Sequence, residues 1–191
     1  MKTRVLGAAM LMASLVPMQV SAETYLIDNK GAHAFIQFRI QHLGYSWLSG
    51  RFNDFSGSFE YDEKKPEAAS VKVDIDVSSI DSNHAERDKH LRSKEFLEVD
   101  KYPKAGFVST SFKENGDGTA RLDGNLTLHG VTKPVTIAVE HVGHGPDPWG
   151  GYRRGFEGTT RIALADYGID YNLGPKSKEV ELTLSVEGIR Q

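Results

Sequence analysis

"LDGNLTLHGVTKPVTIAV", residues 122–139, is the stretch that decides the fold of this chain. Its first half alternates apolar Leu122, Leu126 and Leu128 with polar Asp123, Asn125 and Thr127. After the turn signal HGVTKP at 129–134, the alternation resumes at Val135, Ile137 and Val139. A period of two gives a strand one buried face and one wet face, and glycine and proline between two such runs mark a turn. The stretch therefore predicts two half-buried strands that follow one another closely.

The same period recurs along most of the chain. Alternating residues are mainly apolar at 34–40, 71–77, 156–164 and 180–186. Further turn signals lie at 114–118, 143–151 and 172–177. With the stretches near 24–28, 50–60 and 105–112, the chain has about eight to ten short strands. Short connections favour antiparallel pairing, and a closed barrel or a sandwich removes the exposed edges. We therefore expect an all-β protein, an antiparallel barrel of about eight strands.

The residues on the inward face of these strands are compatible with either a cavity or a filled core. Gly124, Gly158 and Thr160 lie on the apolar parity, where a solid interior would place large branched residues. A glycine within a strand also marks a bulge or a corner. A barrel of about eight strands has an interior just wide enough for side chains or for one small ligand.

The N-terminus has the pattern of a secretory signal peptide. A basic MKTR start is followed by the apolar run VLGAAMLMASLV and by small residues ending at Ala22. The apolar run is shorter than the roughly 20 residues that a membrane-spanning helix needs. We therefore expect a signal peptide at 1–22, a single domain at 23–191, and release into the periplasm rather than a membrane-embedded protein.

Composition excludes several classes of function. The chain has no cysteine, so it has neither disulfides nor a thiolate metal site nor a cysteine nucleophile. The formal net charge is −3, and loss of Lys2 and Arg4 with the signal peptide makes it more negative, which argues against nucleic acid as a partner. Neither a G-x-S-x-G elbow nor a phosphate-binding loop is present. We expect no catalytic residue, no metal and no cofactor.

One polar stretch, NHAERDKHLRSKEFL at 83–97, interrupts the strand pattern. Asn83 with Glu86 three residues later predicts a capped short helix, and Ser93 predicts the start of a shorter one. His84 and His90 are six positions apart and point about 120° away from each other, whereas a zinc-binding helix needs histidines at i and i+4. A metal site would need His42 or another distant residue. The segment therefore predicts a helical insertion at a barrel mouth.

Several polar residues are candidates for the rim of that mouth. His42 continues the inward parity of its strand and should lie at the strand end, and Trp149 should fold over a barrel end within the rigid turn GHGPDPWGG. The helix would present its own polar side chains to an entering molecule. The rim candidates are His42, Arg87, Asp88, His90, Arg92 and Trp149. The remaining histidines, His33, His129, His141 and His144, are predicted to lie at the surface.

Four stretches, taken together, resemble the YceI-like family of bacterial periplasmic proteins. They are RIQHLGYSWLSGRF at 39–52, AERDKHLRS at 85–93, GNLTLHGVTKPVTI at 124–137 and DPWGGYRRGF at 147–156. The family's H-x-G motif falls on His42 and Gly44, its R-D-x-H-L-R-S motif on 87–93, and its G-x-L-x-x-x-G-V motif on Gly124, Leu126, Gly130 and Val131. The resemblance covers essentially the whole of residues 23–191.

The resemblance implies a lipocalin-like, extended antiparallel barrel with a small helical insertion around 83–97. It also implies an apolar tunnel that holds a long polyisoprenoid chain, with no established enzymatic activity and with dimers among several members. The inward residues would then form the tunnel wall: Ile36, Phe38, Ile40, Val73, Ile75, Val77, Phe107, Leu126, Ile137, Phe156, Ile162, Leu182 and Leu184.

We therefore expect a periplasmic carrier of a long-chain polyisoprenoid lipid, with an isoprenoid quinone as one candidate. If the protein follows those members, it is a homodimer. Two alternatives stay open. One is a metal-assisted enzyme that acts on such a lipid through His42, Glu86 and His90. The other is a stress-induced interaction module whose cavity is incidental.

Overall fold

A computed structural model describes residues 22–191 of the chain. The expected signal peptide at 1–22 therefore lies outside the described residues, apart from Ala22. The strands are β1 Glu23–Ile27, β2 Phe35–His42, β3 Ser46–Phe52, β4 Phe55–Tyr61, β5 Ser70–Asp76, β6 Ile80–Asp81, β7 Lys104–Glu114, β8 Thr119–Leu128, β9 Val131–Pro146, β10 Tyr152–Ala163 and β11 Glu179–Arg190. One α-helix, α1, spans Ala85–Arg92, and short 3-10 turns lie at Pro66–Ala68, Val77–Ser79 and Leu164–Tyr167.

Eight of the strands form a closed antiparallel ring. Their order is β1-β4-β5-β7-β8-β9-β10-β11, and pairing of β1 with β11 closes the ring. The ring leaves no free edge among these strands, which removes a site for aggregation. The prediction of an all-β, lipocalin-like barrel of about eight strands with a short helical insertion is confirmed.

The other three strands lengthen one side of the barrel. The C-terminal end of β11 pairs with β1. The N-terminal part of β11 pairs with β2, and there Val180 lies opposite Ile40. Strand β3 pairs with β2, and the two-residue β6 pairs with β3. The chain then enters α1, so the helix lies at the end of the barrel that these extra strands build.

The stretch at 122–139 forms the hairpin of β8 and β9. Leu128 pairs with Val131, and His129 and Gly130 between them both have positive φ, as a type I′ turn requires. Strand β9 runs for 16 residues from this turn to Pro146. The two ends of β9 therefore mark two different ends of the barrel.

Two inward glycines, Gly124 and Gly188, make room for aromatic rings. A methyl group added at Gly124 would overlap the Phe107 ring, and one added at Gly188 would overlap the Phe59 ring. Phe59 also stacks on Tyr25 with ring centres 4.8 Å apart. At Gly124, where the sequence left a cavity and a filled core both open, the Phe107 ring from β7 therefore fills the space.

The polar segment folds as predicted only in part. His84, not Asn83, is the N-cap residue, and its ring nitrogen Nδ1 accepts a hydrogen bond from the backbone N–H of Arg87 at 3.2 Å. Asn83 has positive φ, 61°, and so turns the chain before the helix starts. Residues 94–97 form a turn rather than a second helix, and Leu97 anchors it by burial.

Candidate ligand-binding cavity

Two adjoining cavities lie inside the barrel. The larger, about 790 Å³, lies at the end with α1, β2 and β3, and the smaller, about 160 Å³, lies deeper between β4, β7, β8 and β10. Ile36, Ile75, Leu126 and Leu182 border both. The larger volume is within the roughly 300–1,000 Å³ that is usual for ligand pockets. Together the two cavities make an elongated space with its wide end at the helix.

The walls of the two cavities differ in polarity. The inner cavity is lined almost wholly by aliphatic and aromatic side chains, including Phe55, Phe59 and Phe112. The outer cavity is also lined by hydroxyl, amide, imidazole and guanidinium groups near its mouth. Among the residues lining the outer cavity, within the described part of the chain, none is Asp or Glu. The site therefore suits an amphiphile with a long apolar part and a polar end.

Most of the predicted wall residues line one or both cavities. These are Ile36, Phe38, Ile40, Val73, Ile75, Phe107, Leu126, Ile137, Phe156, Ile162, Leu182 and Leu184. Val77 does not, because β5 ends at Asp76 and Val77 starts a 3-10 turn with its side chain buried in the core. Contact of the lining residues with a ligand stays a prediction.

Sequence reasoning missed several wall residues. Phe55 and Phe59 belong to a strand whose alternation is interrupted by small residues, FSGSFEY, although their even spacing from Gly57 was a usable signal. Leu91, Phe96 and Tyr171 line the outer cavity from the helix and from loops. Loop residues carry no periodic signal, so only the tertiary structure brings them to the wall.

Three of the rim candidates lie at the mouth. His42, at the end of β2, and Arg87 and His90, on α1, line the outer cavity together. The His90 ring packs edge-on against Phe96 and Tyr171, and its Nε2 lies 2.5 Å from a carboxylate oxygen of Glu95. The Arg87 guanidinium donates from Nε to the Ser82 hydroxyl at 2.7 Å. His42 and His90 are exposed, whereas Arg87 is half-buried.

Asp88 and Arg92 hold the helix in place instead of facing the cavity. The Asp88 side chain is only 6% exposed, and its carboxylate accepts hydrogen bonds from the Ser82 backbone N–H at 2.8 Å and from the Ser82 hydroxyl. Arg92 donates to the backbone carbonyls of Ser78 and Ile80 at 2.8 and 2.9 Å. Their assignment to the rim is wrong, because both are used to attach α1 to β6.

Trp149 lies at the other end of the barrel. It belongs to the turn between β9 and β10, whereas the mouth is beside the turn between β8 and β9. The length of β9 separates the two turns by on the order of 50 Å along the strand. Trp149 is exposed, with the Arg153 guanidinium 5.3 Å from its ring. Its prediction as a rim residue is wrong for this reason.

The barrel end opposite α1 is closed by a polar cluster. Arg154 is only 3% exposed, its guanidinium lies 4.4 Å from the Tyr61 ring, and it pairs with Glu63. Burial and the positive charge of Arg154 lower the pKa of His141, whose Nε2 is 3.3 Å from Arg154. His141 was expected at the surface, but the long hairpin of β9 and β10 folds it back over this cluster.

The residues of the hypothetical metal-assisted enzyme, His42, Glu86 and His90, do not form a metal-ligating group. Across residues 22–191, three ligand atoms come within 4.8 Å of one another only at Asp28, His33 and Glu187, far from His42, Glu86 and His90. In that group Arg153 Nη1 donates to Asp28 at 2.8 Å and to Glu187 at 2.5 Å. Hydrogen bonds from His33 and Arg153 lower the pKa of Asp28 to about 2. The group is therefore an ion-pair cluster around a guanidinium.

Comparison with known proteins agrees with this geometry. Residues 25–188 match the model of the YceI-like domain. The chain belongs to the YceI-like family. This YceI-like chain is 62% identical over 186 residues to a UPF0312 protein of Pseudomonas aeruginosa strain LESB58, covering 97% of this chain and 95% of the relative. The resemblance drawn from the four sequence motifs is thus confirmed.

Solved structures share the YceI-like fold. BcnA of Burkholderia cenocepacia superposes with a TM-score of 0.74 at 22% identity, covering 84% of this chain and 98% of BcnA. A polyisoprenoid binding domain from Saccharophagus degradans, implicated in plant cell wall breakdown, superposes with a TM-score of 0.65 at 16% identity, covering 87% of this chain and 98% of that domain. In the part of the chain that the structure describes, no helix has the length and apolar character needed to span a membrane.

Proposed function

We propose that this protein binds a long-chain polyisoprenoid lipid in its barrel and carries it through the periplasm. The observation that carries the proposal is the continuous apolar space of the two cavities, which narrows from the polar mouth to an aromatic inner end. Burying an isoprenoid chain there gains about 25 cal/mol for each Å² of apolar surface removed from water. The fold shared with a polyisoprenoid binding domain supports the same class of ligand.

The mouth favours a head group that accepts hydrogen bonds. Arg87 offers only N–H donors to the outer cavity, Gln41 and Asn83 offer amides that donate and accept, and the residues described there include no carboxylate. An isoprenoid quinone has carbonyl oxygens that only accept hydrogen bonds, so it suits these donors. Within this proposal the head lies near His42 and Arg87, and the chain extends towards Phe107 and Phe156.

The direct test is extraction of lipid from protein purified out of the periplasm, followed by mass spectrometry. We expect one prenyl lipid per barrel, recognisable by a series of species that differ by whole isoprene units. Repeated recovery of protein that contains no lipid would contradict the proposal. Recovery of straight-chain fatty acids alone would contradict the isoprenoid part of it.

A matched pair of variants shows whether the lipid occupies the cavity. Leu126→Trp fills the point where both cavities meet, whereas Val108→Trp adds the same ring on the exposed face of the neighbouring strand. We expect at least a tenfold loss of bound lipid for Leu126→Trp and wild-type content for Val108→Trp. Equal lipid content in both variants would place the lipid outside the barrel. Light scattering of the same samples tests whether the protein is a homodimer, which stays a prediction.

A further inference from the structure

Four exposed apolar side chains surround the cavity mouth. They are Leu43, Tyr45 and Trp47 from the hairpin of β2 and β3, and Tyr171 from the loop before β11; we call them the aromatic rim. Their exposed fractions are 53%, 88%, 46% and 43%, respectively. Leu43, Trp47 and Tyr171 also line the outer cavity. Three of the four side chains thus lie both at the cavity wall and at the exposed surface beside it.

At the tip of the hairpin of β2 and β3, Leu43 has a backbone conformation that leucine rarely adopts. The N–H of Tyr45 donates to the carbonyl of His42 at 2.9 Å, and the two residues between them, Leu43 and Gly44, have φ of 53° and 84°. Positive φ at both central positions is the mark of a type I′ turn, for which Asn-Gly is the favoured pair. Leucine adopts positive φ only with strain. Folding of the hairpin alone does not explain an exposed leucine here.

Cations accompany the apolar side chains. The Arg39 guanidinium lies 4.4 Å from the centre of the Trp47 ring, and Arg39 also pairs with Glu181. The exposed Lys176 lies beside Gly44, and the exposed Lys178 is two residues further on. The loop that bears them is attached to β2 by a hydrogen bond from the Ser177 hydroxyl to the carbonyl of Gln41. The patch thus carries cations beside its apolar side chains, with Glu181 and the exposed Glu179 and Asp170 as neighbouring acidic groups.

We infer that the aromatic rim docks on the surface of a phospholipid bilayer and brings the cavity mouth against the lipid. Tryptophan and tyrosine with neighbouring lysine and arginine are the side chains enriched at the membrane–water interface, where the rings meet the acyl chains and the cations meet lipid phosphates. Docking lets an apolar chain pass between bilayer and barrel without crossing water. This inference rests on the proposed function, because the cargo explains why the mouth meets a bilayer.

The two tryptophans of the chain provide a built-in comparison, since Trp47 lies in the rim and Trp149 at the opposite end. The probes are vesicles of phosphatidylcholine alone and vesicles that also contain phosphatidylglycerol, mixed with protein stripped of lipid. In Trp149→Phe protein, we expect the fluorescence of Trp47 to shift to shorter wavelength and to be quenched by brominated acyl chains. In Trp47→Phe protein, Trp149 should do neither. Quenching of Trp149, or of neither residue, would overturn the inference.

Binding is measured by flotation with rim variants. The double variant Leu43→Asn with Trp47→Ser should lower the vesicle-bound fraction about tenfold, whereas Trp149→Ser should not change it. Leu43→Asn alone suits the type I′ turn, so a loss of binding by this variant is not a folding defect. Lys176→Gln should weaken binding only to vesicles that contain phosphatidylglycerol. Wild-type binding by both variants that carry Leu43→Asn would overturn the inference.

Two further outcomes separate this inference from the proposed function. If light scattering shows a dimer that the double variant disrupts, while no protein floats with vesicles, the rim is a dimer interface and the inference fails. If stripped protein docks through the rim but purified protein never contains prenyl lipid, docking stands and the carrier function fails. If purified protein contains the lipid and the rim variants exchange it with vesicles at the wild-type rate, docking fails and the carrier function stands.

Discussion

At the level of single residues, Arg153 explains how the loops at one end of the barrel are held. Its guanidinium contacts Asp28 after β1, Asp147 in the turn before β10, and Glu187 in β11 at 2.8, 2.9 and 2.5 Å, respectively. Three carboxylates from three parts of the chain thus share one cation. The Asp28 side chain is 9% exposed, so its negative charge is stabilised mainly by His33 and Arg153 and not by water.

Replacing Asp28 should make stability less sensitive to acid. The pKa of Asp28 is lowered from 3.8 to about 2 in the fold, so its contribution to the free energy of unfolding is complete above about pH 4 and is lost as the pH falls towards 2. We expect Asp28→Asn to reduce the free energy of unfolding by about 1–2 kcal/mol at pH 6 and by roughly half that amount at pH 3. Urea unfolding at the two pH values measures the difference.

The exposed Asp100 provides the control, and Asp100→Asn should change the free energy of unfolding by less than about 0.5 kcal/mol at either pH. A loss for Asp28→Asn that is the same at pH 6 and pH 3 would show that the charge of Asp28 is not what stabilises this cluster.

At the level of elements, α1 depends on polar attachments more than on apolar packing. Asp88 is its one buried residue, and the helix is only eight residues long. Isolated helices of this length are unstable in water, so the helix needs its contacts with the rest of the protein. Asp88, Arg87 and Arg92 supply them through Ser82, Ser78 and Ile80. The motif at 87–93 therefore builds one wall of the mouth.

Removing the Asp88 carboxylate should loosen the helix. Asp88→Ala leaves the buried Ser82 N–H and hydroxyl without their acceptor, which costs about 2–4 kcal/mol. We expect faster amide hydrogen exchange over 82–92 and faster release of bound lipid, while exchange in β8 and β9 changes little. Lys89→Ala removes an exposed side chain of the same helix and should behave like wild type. Unchanged exchange in Asp88→Ala would show that the Asp88 carboxylate is not needed to hold the helix.

At the level of the whole molecule, one end of the barrel is filled by side chains and the other end contains the larger cavity. Aromatic rings and the Arg154 cluster fill the end opposite α1, whereas the larger cavity leaves the other end underpacked. Cavities lower stability because their walls lose contacts. A bound apolar chain restores those contacts, so stability of the fold and occupancy of the cavity are linked.

Stripping the lipid should therefore lower the melting temperature. At a free ligand concentration of 100 Kd, binding adds about 2.7 kcal/mol, which corresponds to roughly 5–10 °C for a domain of this size. Circular dichroism of stripped and reloaded protein measures the shift, and it should grow with the concentration of added lipid. In the Leu126→Trp variant the shift should be absent. A shift of equal size in that variant would mean that the lipid stabilises the fold from outside the barrel.

Much of the architecture was predictable from the sequence. Alternation at 122–139 predicts β8 and β9 because one face of each strand must be buried, and His129 and Gly130 supply the turn. The same rule places Leu126 and Ile137 on the cavity wall. The rule fails at Val77, where the strand has already ended. At Gly124 it gives the inward face correctly but not the Phe107 ring that fills the space there.

By itself, the sequence determined the all-β class, the inward face of the regularly alternating strands and the position of the helical insertion, because these follow from local periodicity and turn chemistry. Only the tertiary structure decided that Asp88 and Arg92 fasten α1, that Trp149 lies far from the mouth, and that Tyr171 lines it. Such placements depend on which strands become neighbours when the ring closes. Closure depends on pairing between strands that are distant in sequence, and a local sequence pattern does not specify that pairing.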